Sequence, residues 1–143
     1  MSLNNDYIVG LVDGEGSFTV YVRNPVQIDN RKRRVKIEPR FYIKLIEEDK
    51  YILYKLKQFF DCGNVYFQGD KRPNHKNCYR YEVANRKDIL EKIIPFFKTY
   101  PLKFSSKARD FKIFCQIMEA IKRGEHLTEK GLLKLYKLKQ KMH

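Results

Sequence analysis

Tyr7-Ile-Val-Gly-Leu-Val-Asp-Gly-Glu-Gly-Ser17 changes character along its length. Its first part, residues 5–14, reads as a short helix that Asn4 or Asn5 can cap and that Gly14 and Gly16 can end. Ser17-Phe-Thr-Val-Tyr-Val-Arg23 then reads as a strand, rich in β-branched and aromatic residues. Gly10 and Gly14 stand four apart on one helix face, and the absence of side chains there lets another helix approach closely. Asp13 and Glu15 fall where helix gives way to strand, so at least one carboxylate can project beyond the helix end. Glu15 lies between two glycines, which lets the backbone turn and leaves the Gly14 carbonyl accessible. A carboxylate plus a backbone carbonyl is a hard-oxygen set suited to Mg²⁺, with water and phosphate oxygens completing the shell. One acid is too little for tight binding, but two copies meeting at paired helices would supply two. That geometry suits metal-assisted phosphodiester cleavage. The same residues also fit a plain amphipathic helix ended by an acidic turn.

Outward from this segment the chain alternates strand pairs and helices. Residues 33–45 read as a long second strand, Val35, Ile37, Phe41 and Ile43 alternating with Lys36, Glu38, Arg40, Tyr42 and Lys44; Pro39 suggests a bulge or an edge position. Residues 49–60 switch to helical period through Ile52, Leu53, Leu56, Phe59 and Phe60. Residues 64–68 and 78–84 read as a hairpin. Asn85 can cap a helix over 86–97 that Pro95 should bend or end. Ser105 or Ser106 starts a further helix closed by Gly124, and Thr128 caps a last one. The order is αββαββα with C-terminal helices. It predicts an α+β fold, a curved antiparallel four-stranded sheet with helices on one face, in a single domain over 1–143.

Net charge is +13, which points to a polyanionic partner. Residues 1–30 nevertheless carry Asp6, Asp13, Glu15 and Asp29 against Arg23 alone, so the acidic start is a local feature of a basic protein. Carboxylates held near phosphates usually need a cation between them. Cys62, Cys78 and Cys115 form no CxxC and suggest neither a disulfide framework nor a zinc site. His75, His126 and His143 show no ligand spacing. No apolar run approaches a membrane span and no signal-peptide pattern opens the chain, so a soluble, intracellular protein with no membrane partner is expected.

Ile8-Val-Gly-Leu-Val-Asp-Gly-Glu-Gly16 resembles the LAGLIDADG motif of homing endonucleases, followed by the Ser-Phe that often begins the first strand. The resemblance continues through Phe41-Tyr-Ile, Asp49, Ile52-Leu53 and Cys62-Gly-Asn-Val65, then Tyr100-Pro-Leu-Lys, Lys107 and Asp110-Phe111, and His126-Leu-Thr-Glu-Lys-Gly-Leu132. It implies a single-motif, homodimeric, Mg²⁺-dependent DNA endonuclease that cuts across the minor groove to leave 3′ overhangs, encoded in an intron or intein-like element. It implies Glu15 and the Gly14 carbonyl as metal ligands, a site that Mn²⁺ or Ca²⁺ can also occupy, and Lys107 or else Lys103 as the basic catalytic neighbour. Tyr7, Gly10, Asp13 and Gly14 would belong to the dimer face, with Asp13 a cap or an interface residue. Where some members carry glutamine and arginine around the end of the second strand, this chain has Leu45 and Asp49 or Lys50. Related roles are a maturase acting on its own intron RNA and a non-catalytic DNA-binding regulator.

A sheet fits a major groove, and period two gives its outward residues. They are Thr19, Tyr21 and Arg23; Lys36, Glu38, Arg40, Tyr42 and Lys44; Asn64, Tyr66 and Gln68; and Arg80 and Glu82. Phe18, Val20, Val22, Val65, Phe67, Tyr81 and Val83 then face the helices. Arg31, Lys32, Arg33 and Arg34 form a basic run better suited to phosphates than to bases.

Overall fold

The computed structural model describes residues 2–26 and 36–143, so Arg31, Lys32, Arg33 and Arg34 lie outside the described residues. Asn4 starts the first helix: its Oδ1 accepts the Tyr7 backbone N–H at 2.7 Å, satisfying a donor that a helix start leaves without an internal partner. Helix α1 (Asn5–Glu15) runs one residue past the expected end and passes without a loop into β1 (Gly16–Val22). The joint depends on space. A Cβ at Gly16 would stand 2.7 Å from Val12 Cγ1 and 3.0 Å from Val12 Cα, so only glycine lets the strand fold back against its own helix.

β2 (Ile37–Ile46) leads through a short 3₁₀ turn to α2 (Lys50–Phe60), and β3 (Asn64–Gln68) and β4 (Cys78–Val83) follow. The strands form one antiparallel sheet in the order β1-β2-β4-β3. Pro39 takes an edge position inside a central strand. The Arg23 N–H donates to the Lys36 carbonyl at 2.8 Å. Bonded pairs alternate in an antiparallel ladder, so the Val20–Pro39 pair is a non-bonded one and the Pro39 nitrogen faces away from β1. On that side β4 begins to pair only at Phe41. No ladder donor is lost, and no bulge is needed. On the same free side, the Ile37 carbonyl accepts from Arg86 Nη2 at 3.2 Å.

Asn85 caps the next helix, its Oδ1 accepting from the Asp88 N–H at 3.0 Å. Three segments, Arg86–Asp88, Ile89–Ile93 and Ile94–Thr99, run on as one helix, α3. Pro95 neither ends it nor forces an open break. Proline lacks an N–H and crowds the carbonyl four residues back, and the π turn at Ile89–Ile93 widens the helix ahead of it. α4 (Ser105–Lys122) and α5 (Glu129–Lys139) follow as the last helices among the described residues; Thr128 Oγ1 caps α5 by accepting from the Gly131 N–H at 3.0 Å.

The α+β architecture is thus the expected one, with the helices gathered on one face. Phe18 is the centre of the core, its ring centroid 5.0 Å from Phe41, 5.7 Å from Phe97, 5.1 Å from Phe111 and 5.3 Å from Phe114. β1, β2, α3 and α4 therefore meet on one side chain, and each fully buried ring contributes up to about 3 kcal/mol by leaving water. Val20, Val22, Ile37, Ile43, Tyr81 and Val83 are buried on the same side. Phe67 departs from the expected pattern. It stands on the edge strand with 57% of its surface exposed, beyond the helix cover, and rests on the Tyr79 ring at 5.3 Å. The three cysteines are free thiols, and burial pushes Cys115 up to about 11.

Gly16→Ala is expected to lower stability by about 1–3 kcal/mol through overpacking against Val12. Gly14→Ala, where an added Cβ meets nothing within 4 Å, is expected not to destabilise the subunit. Urea unfolding of both variants checks the contrast.

Candidate functional site

The end of α1 is held in place by a segment ninety residues further along the chain. Asp13 is 5% exposed. Its carboxylate accepts the Lys103 N–H at 3.1 Å on Oδ1 and 3.0 Å on Oδ2, and the Phe104 N–H at 3.1 Å. Phe104 precedes α4 and offers no side-chain cap of its own. Asp13 provides that cap from outside, placing a negative charge at the positive end of the α4 dipole. One turn into α4, Lys107 Nζ donates back to the Gly16 carbonyl. The helix–strand corner is thereby clamped from both sides.

Glu15 sits between these two anchors and is exposed, as is Gly14. The Gly16 N–H donates to the Val12 carbonyl and closes the helix, so the Gly14 carbonyl belongs to the last turn, which lacks internal donors and carries the helix's partial negative charge. An exposed carboxylate beside such a carbonyl fits a hard divalent cation. It is only part of a coordination shell. Among the described residues no group of three or more His, Cys, Asp or Glu could hold a metal ion, so further oxygens would have to come from substrate, water or a second subunit. Lys103 is exposed and meets Asp13 through its backbone.

The outer face of α1 is bare. Gly10 and Gly14 are exposed, and a Cβ on either would meet nothing within 4 Å. Tyr7 stands on the same helix, 46% exposed. Of the four residues assigned to a dimer face, three are open to solvent, and Asp13 is turned inward as a cap.

The open face of the sheet collects the predicted polar residues in rows. Register places Ser17, Tyr42, Glu82 and Asn64 across the sheet, and Lys44, Arg80 and Tyr66 in the next row. In the other direction Thr19 pairs with Arg40 and Tyr21 with Glu38, and Arg23 bonds to Lys36 through the backbone. Gln68 pairs with Cys78 at the far end of β3. Arg40 and Arg80 are not isolated cations. Arg80 lies 2.8 Å from Glu82 and stacks 3.5 Å above the Tyr42 ring, while Arg40 lies 3.2 Å from Glu38 and 3.5 Å from Glu82. Sequence reasoning missed this network; the signal available was the Arg-x-Glu spacing at 80–82, which puts opposite charges on one side of a strand. Leu45 packs against the core, and Lys50 lies over the Tyr79 ring at 5.0 Å, so neither adds a polar group to this face beside the corner.

An αββαββα protein with an open polar sheet and an exposed acid at a clamped helix–strand corner is thereby defined. The LAGLIDADG endonuclease family description matches residues 8–118, and the chain belongs to that family. It is 35% identical over 111 residues to probable intron-encoded DNA endonuclease 1 of Mycosarcoma maydis, covering 78% of this chain and 35% of that protein. It is 32% identical over 137 residues to probable intron-encoded endonuclease 2 of Neurospora crassa, covering 96% of this chain and 27% of that one. The chain thus spans about a third or less of these relatives' length. The crystal structure of the homing endonuclease I-TnaI superposes with a TM-score of 0.82 at 38% identity, over 100% of this chain and 90% of that one. The LAGLIDADG homing endonuclease I-SmaMI bound to cleaved DNA gives 0.84 at 30% identity, over 99% of this chain and 44% of that one. No helix among the described residues is long and apolar enough to cross a membrane.

Removing the Asp13 carboxylate strands the Lys103 and Phe104 N–H donors. Asp13→Ala is expected to cost about 2–3 kcal/mol in urea unfolding, and Asp13→Asn, which keeps one acceptor oxygen, to cost less.

Proposed function

We propose that the chain is a site-specific double-strand DNA endonuclease acting as a homodimer on a pseudo-palindromic target, with Mg²⁺ held by Glu15 and the Gly14 carbonyl of each subunit. The observation that carries this reading is the unequal fate of two neighbouring acids. Asp13 is consumed by its own chain, whereas Glu15 is left exposed beside the bare Gly10 and Gly14 face. A two-fold pairing of that face would bring two Glu15 carboxylates together and cover the glycines. Two relatives support the stoichiometry: this chain covers 44% of the I-SmaMI chain but 90% of the I-TnaI chain. Structures of I-SmaMI bound to uncleaved DNA target in the presence of calcium ions and of I-GzeII in complex with DNA target support the substrate and an ion of this class.

The divalent ion, when bound, supplies Lewis-acid polarisation of the phosphate and a water acidic enough to attack it. The protein's own part is positional. Asp13 fixes the corner from which Glu15 projects. Lys107, anchored on the Gly16 carbonyl one residue from Glu15, would stabilise the anionic phosphate during cleavage, with Lys103, four residues earlier, as the second candidate. The strand β1 leads away from Glu15 with its outward residues at Ser17, Thr19 and Tyr21. Successive rows are about 7 Å apart, roughly two base pairs of duplex. The sheet would therefore read the target outward from the cut, in the order of its rows, and the described face ends at Arg23 and Lys36.

Glu15→Gln keeps the size and one oxygen but removes the charge. Single-turnover cleavage in Mg²⁺ is expected to be abolished while binding to the same duplex in Ca²⁺ persists or tightens; full cleavage by this variant would refute the assignment. On the assembly, wild-type protein at micromolar concentration should sediment as a dimer. Gly10→Leu should sediment as a folded monomer, with its helical circular dichroism retained and only the stability that association adds removed. A wild-type chain that stays monomeric on its target would overturn the homodimer.

A further inference from the structure

Arg80 and Glu82 stand two apart on β4 and share the open face, opposite Lys44 and Tyr42 on β2. Tyr42 is directly across from Glu82. Diagonal neighbours in an antiparallel pair are still within reach of long side chains, and both diagonals are used. Arg80 lies across Tyr42 at 3.5 Å, and Arg40 reaches Glu82 at 3.5 Å. Glu82 also holds Arg80 at 2.8 Å along the strand. One carboxylate thus joins two guanidinium groups, and one aromatic ring supports the second.

Stability does not account for this arrangement. A largely buried ion pair gains little once the cost of taking both charges out of water is counted, and Arg80 Nε is buried without a partner, which is unfavourable. A freely moving arginine would avoid that by swinging into water. Glu82 and Tyr42 hold it against the sheet: the Arg80 and Glu82 side chains are only 19% and 15% exposed. The effect is geometric. An arginine has five donors in a rigid fork. Arg80 commits an Nη to Glu82, and Arg40 commits its two Nη atoms to Glu82 and Glu38.

We propose that Glu82 is the positioning residue of a base-reading unit made of Tyr42, Arg80 and Arg40, and that it sets discrimination at the base pairs nearest the cut. This rests on the DNA-endonuclease reading above. Glu82 fixes both guanidinium groups before DNA arrives, so less side-chain freedom is lost on binding. Its own charge repels phosphate and so penalises the shifted, non-specific placements in which backbone rather than base edges would meet the arginines. Tyr42 and Glu82 share the row of Ser17, two residues beyond Glu15, and Arg80 and Arg40 stand in the rows on either side of it.

The test uses the full chain and a pool of duplexes with randomised half-sites, selected by binding in Ca²⁺ so that cleavage plays no part. Arg80→Ala, Arg40→Ala and Glu82→Gln are each compared with wild type. Glu82→Gln is expected to relax the same base pairs as the arginine variants, by about ten-fold, and to tighten binding to non-preferred duplexes. In an Arg40→Ala/Arg80→Ala background it should relax nothing further at those positions. Tyr42→Leu, which removes the platform and leaves every charge, should relax the base pair that Arg80→Ala relaxes, and it decides the matter if Glu82→Gln folds poorly. Relaxation at base pairs that neither arginine variant touches would make Glu82 a direct reader and overturn the proposal. A uniform change over all sequences would reduce it to bulk charge and also overturn it. A wild-type selection that enriches no sequence sinks the site-specific reading itself, whereas an enriched sequence that Glu82→Gln leaves intact sinks only the role of Glu82.

Discussion

The Asp13 carboxylate, buried against the Lys103 and Phe104 N–H groups, is the interaction on which the rest of the site depends. It joins the end of α1 to the start of α4 and answers two demands at once. A helix start needs acceptors for donors that have no internal partner, and a buried carboxylate needs donors. Lys107 closes the loop by returning to the Gly16 carbonyl. Glu15 lies between these two anchored residues, and its side chain is open to solvent. If Glu15 holds a metal ion as proposed, the fold has already placed its backbone, whereas a ligand on a surface loop would have to be ordered on binding.

The same corner explains the allocation of glycines. Gly16 is required by contact with Val12, whereas nothing inside the subunit requires Gly10 or Gly14, where an added Cβ would meet nothing within 4 Å. Glycine inside a helix lowers its stability by about 1 kcal/mol relative to alanine, so two on one exposed face weaken α1 with no return inside the subunit. α1 keeps its inner face, Ile8, Val9 and Val12, deep in the core. The bare face has a use only if something packs on it, which is why assembly and catalysis belong to one proposal.

On the sheet, charge is arranged as a balance. The chain carries +13 overall, yet the face read as the DNA surface interleaves Glu38 and Glu82 with its arginines. A uniformly positive face would hold any duplex. Acids among the cations trade affinity for choice, since each cation must then find an acceptor better placed than the carboxylate it already has.

Much of this was legible from residue order alone. The alternation at 17–23 and 37–44, the helical period at 52–60, and the caps at Asn85 and Thr128 are local effects, and local stereochemistry acts on neighbours in the chain. The motif at 7–17 likewise exposed its glycines and acids to inspection, because their spacing on a helix is fixed by 3.6 residues per turn. Other features required the folded molecule. Pro39 is harmless only because β4 ends before it, Phe67 is exposed only because β3 is an outer strand, and Pro95 is accommodated by a widened turn of α3. The cap that Asp13 provides to α4, and the reach of Arg40 to Glu82, were likewise decided by residues far away in sequence. A carboxylate's role is set by which donors surround it, and donors brought from ninety residues away leave no trace in the spacing of the chain that receives them.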